Sequence, residues 1–222
     1  MIELFKDGIT GITAFVATNL DDIVILLLFF SQASHSFRRR HVFAGQYLGF
    51  TAIVLLSLPG FFGRLLIPQS WIGFVGLLPI AIGLYQLFRL DRDDEDEVQT
   101  VTETGRQQFA HLPGLGFLMS LLNPNTYQVA AVTVANGGDN IGIYLPLFAS
   151  SDVSSLGIIL ITFYLMMGVL CLAADRLIRQ PQLAKMLTQY GNAVVPFVLI
   201  GLGIYILIEN ETYWFVLGLL AD

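Results

Sequence analysis

Apolar residues in this chain do not alternate with polar ones. They gather in long blocks separated by short polar stretches. Six blocks stand out, at about Gly8–Ser31, Val42–Phe62, Trp71–Phe88, Thr126–Ala149, Leu156–Ala174 and Tyr190–Ile208. A helix needs about 20 apolar residues to cross the hydrocarbon core of a bilayer. The pattern therefore predicts an all-α integral membrane protein with six transmembrane helices. Two further apolar pieces, "PGLGFLMSLL" (113–122) and "YWFVLGLL" (213–220), are too short to span and are expected at the interface. The opening "MIELFKDGIT" has no basic n-region and no small-residue cleavage site, so the first block is expected to be a retained helix rather than a signal peptide.

Composition agrees with the blocks. The chain has 222 residues, of which 55% are hydrophobic and 13% charged, with a mean hydropathy of +0.70. A soluble domain carries about 25% charged residues. The net charge of −6 is misleading, because seven acids crowd into residues 91–103. Residues 89–112 read as a solvated acidic loop. Cys171 is the single cysteine and excludes an internal disulfide.

Orientation follows from the basic residues. Arg38, Arg39, Arg40, Arg89, Arg92, Arg106, Arg176, Arg179 and Lys185 fall in the connections after the first, third and fifth blocks, and only Lys6 and Arg64 fall on the other side. Cytoplasmic loops carry the excess of Lys and Arg. Both termini are therefore expected outside, with the plasma membrane as the expected location.

A repeat organises the blocks. Shifted by 118 residues, "ATNLDDIVILLLFF" (17–30) lies over "ANGGDNIGIYLPLF" (135–148), so that Asp21 meets Asp139 and Asp22 meets Asn140. A similar shift brings "LLPIAIGLYQL" (77–87) near "VVPFVLIGLGIYIL" (194–207). Blocks one to three thus resemble blocks four to six. Three is odd, so the second copy must run inverted through the membrane. The expected organisation is a three-helix repeat at 1–88, the acidic cytoplasmic loop at 89–112, and a second three-helix repeat at 113–222. Inverted repeats are typical of secondary transporters, whose sites lie at the repeat interface near the midplane.

The repeat also places the unusual chemistry. Asp21 and Asp139 each stand 13 residues beyond the start of their block, near mid-depth. A charge there costs about 2.5–3.5 kcal/mol on insertion scales. No Lys, Arg or His lies in any of the six blocks to offset Asp21, Asp22 and Asp139. The missing positive charge is then a transported ion. Thr18, Asn19, Asn136 and Asn140 add only oxygen and amide groups. Thr18, Asp21 and Asp22 are expected on one helix side through their i, i+3 and i, i+4 spacing. Gly137-Gly138 predicts a break in the fourth helix, with Asp139 or Asn140 capping its second half. Mutual satisfaction of Asp and Asn side chains across two crossing helices is the plainer alternative.

These motifs resemble the cadmium resistance transporter family, within the lysine exporter superfamily. The resemblance rests on "ATNLDDIVIL", "GQYLGF" (45–50), "LLPIAIGLYQL" and "TVANGGDNIGIYLPLF" (133–148), and it covers essentially the whole chain. It implies a plasma-membrane exporter of divalent cations, chiefly cadmium, driven by proton exchange, with Asn19, Asp21, Asp22, Asn136, Asp139 and Asn140 forming the ion site. Carboxylates and amides suit harder ions than cadmium, so export of manganese, calcium or zinc stays open, as does a cation channel of the same fold. An intramembrane aspartyl protease is the remaining alternative; its G-x-G-D motif has Asn136 in place of the first glycine. Neither an enzymatic activity nor a resident cofactor is expected. The expected partners are the bilayer, the divalent ion and protons. No nucleic-acid partner is expected, and a homodimer is left open.

Overall fold

Helix-start signals in the sequence are obeyed at Asn123-Pro124 and at Asp152. The computed structural model describes residues 2–34, 37–63, 73–89 and 123–210. Among them every regular element is helical: α1 (Ile2–Asn19), α2 (Asp22–Ser31), α3 (Arg39–Ser57), α4 (Pro59–Gly63), a 3-10 helix (Gly73–Gly76), α5 (Leu77–Arg89), α6 (Pro124–Asn136), α7 (Gly138–Ser150), α8 (Val153–Leu177) and α9 (Pro181–Glu209). The Asn123 side chain accepts the Asn125 N–H at 3.0 Å with Pro124 in the first turn, and Asp152 accepts the Ser155 N–H at 2.9 Å. These caps satisfy donors that a helix start leaves open. The acidic loop beyond Arg89 and the pieces at 113–122 and 213–220 lie outside the described residues.

The helices are apolar on more than one face, as bilayer-embedded helices are. On α8, Ile159, Phe163, Met167 and Cys171 are buried, while Ile161, Leu165 and Val169 are more than half exposed on another face. Arg39–Gly63 and Val153–Leu177 are long and apolar enough to cross a membrane. Leu4–Asn19 and Asp22–Ser31 make a third candidate if taken as one span bent by 63°. Leu77–Phe88 and Ala193–Glu209 are apolar but shorter.

α3 lies close along α6. An added Cβ on Gly49 would stand 2.6 Å from Thr133 Cβ and 2.8 Å from the Ala130 carbonyl oxygen, and one on Gly45 would meet Thr126 O at 2.6 Å. Gly45 and Gly49 form a small-xxx-small stripe, which lets helix backbones approach in lipid. The same arrangement brings Gln46, one residue after Gly45, against α6. Elsewhere α8 runs along α1 and α2, and α9 packs on α5. At the end of the molecule where α1 starts, Lys6 pairs with Glu209 at 2.8 Å, and Ser155 donates to Asp7 at 2.8 Å. At the opposite end Arg39 donates to Asp175 at 2.7 Å.

Gly49→Ala should push α3 off α6. Overpacking of this kind costs about 1–3 kcal/mol, so the thermal unfolding midpoint in detergent should drop. Gly8→Ala, where an added Cβ meets nothing within 4 Å, should leave it nearly unchanged. Equal midpoints for the two variants would contradict the close approach.

Candidate ion site

Two helix breaks build the site. α1 ends at Asn19 and α2 resumes at Asp22, with Leu20 and Asp21 between them. α6 ends at Asn136 and α7 resumes at Gly138, with Gly137 between them. Under the 118-residue shift these breaks fall within a residue or two of each other. The break at Gly137 is the expected one; the break at Leu20-Asp21 was not, since no glycine or proline stands there. It also overturns the expected common helix side for Thr18, Asp21 and Asp22. Helical spacing holds only along one continuous axis, and here the axis turns by 63°. The expected cap is corrected too. Gly137 is the N-cap of α7, with no side-chain cap bond, and Asp139 Oδ1 instead accepts the N–H of its neighbour Asn140 at 3.0 Å. An aspartate already inside the first turn stands past the N-cap position.

Asp22 is the most enclosed of the three carboxylates, at 3% exposure. Both of its oxygens are held by neutral amides. Asn136 Nδ2 donates to Oδ1 at 2.9 Å, and Gln46 Nε2 donates to Oδ2 at 3.2 Å. Thr133 in turn donates its hydroxyl to Gln46 Oε1 at 2.7 Å, which fixes the Gln46 nitrogen toward Asp22. α2 and α3 thus contribute one member each, and α6 contributes two. Amide donors reduce the cost of burying a carboxylate but leave its charge in place.

A second polar group adjoins it. Thr18, Asn19 and Asn140 are 3%, 1% and 2% exposed. Asn19 Nδ2 donates to Phe15 O at 2.9 Å and to the Tyr144 hydroxyl oxygen at 2.7 Å. The Tyr144 O–H can then donate to Thr18 Oγ1 at 2.7 Å, and the Thr18 hydroxyl to Ala14 O at 2.9 Å. Asn140 Nδ2 donates to Thr18 O at 2.8 Å; with the amide reversed, oxygen would face oxygen there. That orientation leaves Asn140 Oδ1 about 3.4 Å from Asn19 Oδ1. Two buried amide oxygens thus lie close together. A cation or a water would complete the pair.

Asp21 and Asp139 are exposed at the two breaks. Asn136 Nδ2 reaches Asp21 Oδ2 only at 3.4 Å. Among the described residues no group of three or more His, Cys, Asp or Glu side chains could hold a metal ion. The breaks thus gather all seven predicted residues into one region, without arranging the three carboxylates as a cage. Gln46, Thr133 and Tyr144 were not anticipated as members of the region. Gln46 was signalled only as a polar residue inside an apolar block, and Tyr144 only as one aromatic among many. Cys171 and Met167 are fully buried in the hydrophobic core, where they serve as packing. His41 accepts the Arg38 N–H at 3.2 Å and caps α3.

The family model described as Cadmium resistance transporter matches residues 15–219, nearly the whole chain. No curated protein and no solved structure matches the chain at a significant level. The match runs through both helix breaks and includes every residue that holds Asp22. This membrane protein, helical in its described residues, belongs to the cadmium resistance transporter family.

Proposed function

We propose that the protein exports a divalent cation, cadmium first among candidates, from the cytoplasm across the plasma membrane in exchange for protons. The observation that carries this reading is Asp22. It is a buried carboxylate whose two oxygens, among the described residues, are held by neutral amides, at two helix breaks. An uncompensated charge of this kind is expensive in low dielectric. A cation or a proton must share the site with it, and alternation between the two is exchange.

The six blocks are read as six spans in two inverted repeats, 1–88 and 113–222, joined by the acidic loop. The packing supports that reading. α3, in the second block, lies along α6 and α7 of the fourth; α8, in the fifth, lies along α1 and α2 of the first. Exchanging the two copies maps one set of contacts onto the other. The ion is seated by Asp21, Asp22 and Asp139, assisted by Thr18, Asn19, Asn136 and Asn140. Its water is replaced partly by the facing oxygens of Asn19 and Asn140. Rocking of the copies opens the seat to the other side, and protons neutralise the carboxylates for the return.

Asp22→Asn should lower cadmium-stimulated proton flux in liposomes about a hundredfold or more, since removing one partner of a buried charge pair costs about 3–5 kcal/mol. The double variant Asp91→Asn with Asp93→Asn should remain near wild type. Full flux in the Asp22→Asn protein would remove the site assignment.

Orientation is read by thiol labelling in a Cys171→Ala background. Val153→Cys, at an exposed position on the end shared with Asp7, should react with an impermeant reagent added outside cells. Gln32→Cys, exposed at the other end, should not. The opposite pattern would reverse the topology.

Selectivity follows from the oxygen-only seat. Cadmium has a radius close to that of calcium and fits such a seat without sulfur. Cadmium uptake into inverted vesicles should survive Cys171→Ala nearly unchanged, with calcium and manganese competing at higher concentration. Zinc, inclined to four-coordinate N and S ligands, should compete weakly. Loss of uptake in folded Cys171→Ala protein would make the thiol a ligand.

A further inference from the structure

The polar site and the Asp7 end of the molecule are separated by a layer of rings. Phe15, Phe50, Tyr144, Phe148 and Phe163 are each at most 1% exposed and come from α1, α3, α7 and α8. They form a connected cluster with centroids 4.7 to 6.2 Å apart. Phe15 stands one turn before Asn19, and Tyr144 one turn after Asn140. Along each helix the rings therefore lie on the side away from Asp21 and Asp139. Beyond them, toward the chain's first residues, the next polar place is a small cavity lined by Asp7, Ser151, Ser155 and Glu209. An ion leaving the seat in that direction meets a plug that offers nothing to replace its water.

Tyr144 carries the only hydroxyl among these five rings, and that hydroxyl belongs to the site. It touches Asn19 Nδ2 and Thr18 Oγ1, each at 2.7 Å. Asn19 Nδ2 donates to Phe15 O at 2.9 Å and lies 2.7 Å from both the Tyr144 hydroxyl and Thr18 Oγ1, contacts that hold its Oδ1 toward Asn140. The ring of the same residue packs at 4.7 Å on Phe163 in the middle of the plug. We infer that Tyr144 is a positioning residue that couples the ion seat to the barrier on the Asp7 side. Its hydroxyl aims an ion-ligating oxygen, and its ring seals the exit. The inference rests on the export reading for the first role, whereas the second is a property of the plug alone. Opening toward the Asp7 end then displaces Tyr144 from Asn19, which loosens the ion's ligand as the exit clears.

Two variants separate the roles in liposomes. Tyr144→Phe keeps the ring and removes the hydroxyl. The half-saturating cadmium concentration should rise about fivefold to tenfold, the size of effect that loss of one ordinary hydrogen bond produces. Its maximal flux should stay within about twofold of wild type, with no leak. Tyr144→Leu removes the ring as well and should leak protons down an imposed gradient without any cadmium present. An unshifted half-saturating concentration in Tyr144→Phe, beside normal wild-type flux, would overturn the positioning role. Folded Tyr144→Leu that stays proton-tight would overturn the barrier. If wild type shows no cadmium-stimulated flux, the export reading fails, and the leak still decides whether the ring is the seal.

Discussion

The arrangement turns on one constraint: the Asp22 carboxylate is almost fully enclosed, and among the described residues its oxygens are held by two neutral amides. Everything around it is shaped by that charge. The helix breaks put Asp22 at the start of α2, where its own backbone has left the α1 ladder. The close approach of α3 to α6 at Gly45 and Gly49 is what lets Gln46 and Asn136 reach it from two directions. A larger residue at either glycine would part the helices that supply the two donors. The energetics are those of a charge bound provisionally. Amide donors soften the desolvation cost without cancelling the charge, which the proposed exchange would offset with a cation or a proton.

The chemistry around the carboxylate is divided by depth and by exposure. Asp21 and Asp139 stand exposed at the breaks. Thr18, Asn19 and Asn140 are buried beyond them, with two amide oxygens face to face. Under the proposed export, an arriving ion would meet exposed carboxylates before buried amides. Past the amides, five packed rings close the way. This order, charge then neutral oxygen then aromatic plug, is a graded path closed at one end. It is also compatible with family membership, which rests on a match over nearly the whole chain.

Much of this was legible before any coordinates. Long apolar blocks force helices, because lipid leaves the backbone no other partner. The repeated Asp21 and Asp139 marked where the chain breaks its own apolar rule, and Gly137 announced one discontinuity directly. The break at Leu20-Asp21 carried no such mark, for neither residue is a helix breaker by propensity. Only its alignment with the Gly137 break hints at it. The roles of Gln46 and Thr133 were hidden for a different reason. They are 24 and 111 residues from Asp22 in sequence, and their role exists only because two helices cross closely there. The spacing of Gly45 and Gly49 was the available signal for that crossing. Tyr144 was hidden by its company: one of eight tyrosines, distinguishable only once its hydroxyl is seen among Thr18 and Asn19.

If the proposed exchange holds, a cation and a proton compete for the charge of Asp22. The direct measurement is calorimetric titration of cadmium into the purified protein, repeated in buffers of different ionisation enthalpy, which counts protons released on binding. The account predicts saturable binding with proton release, and loss of both in the Asp22→Asn variant. Cadmium binding that releases no protons, or that persists undiminished in Asp22→Asn, would contradict it.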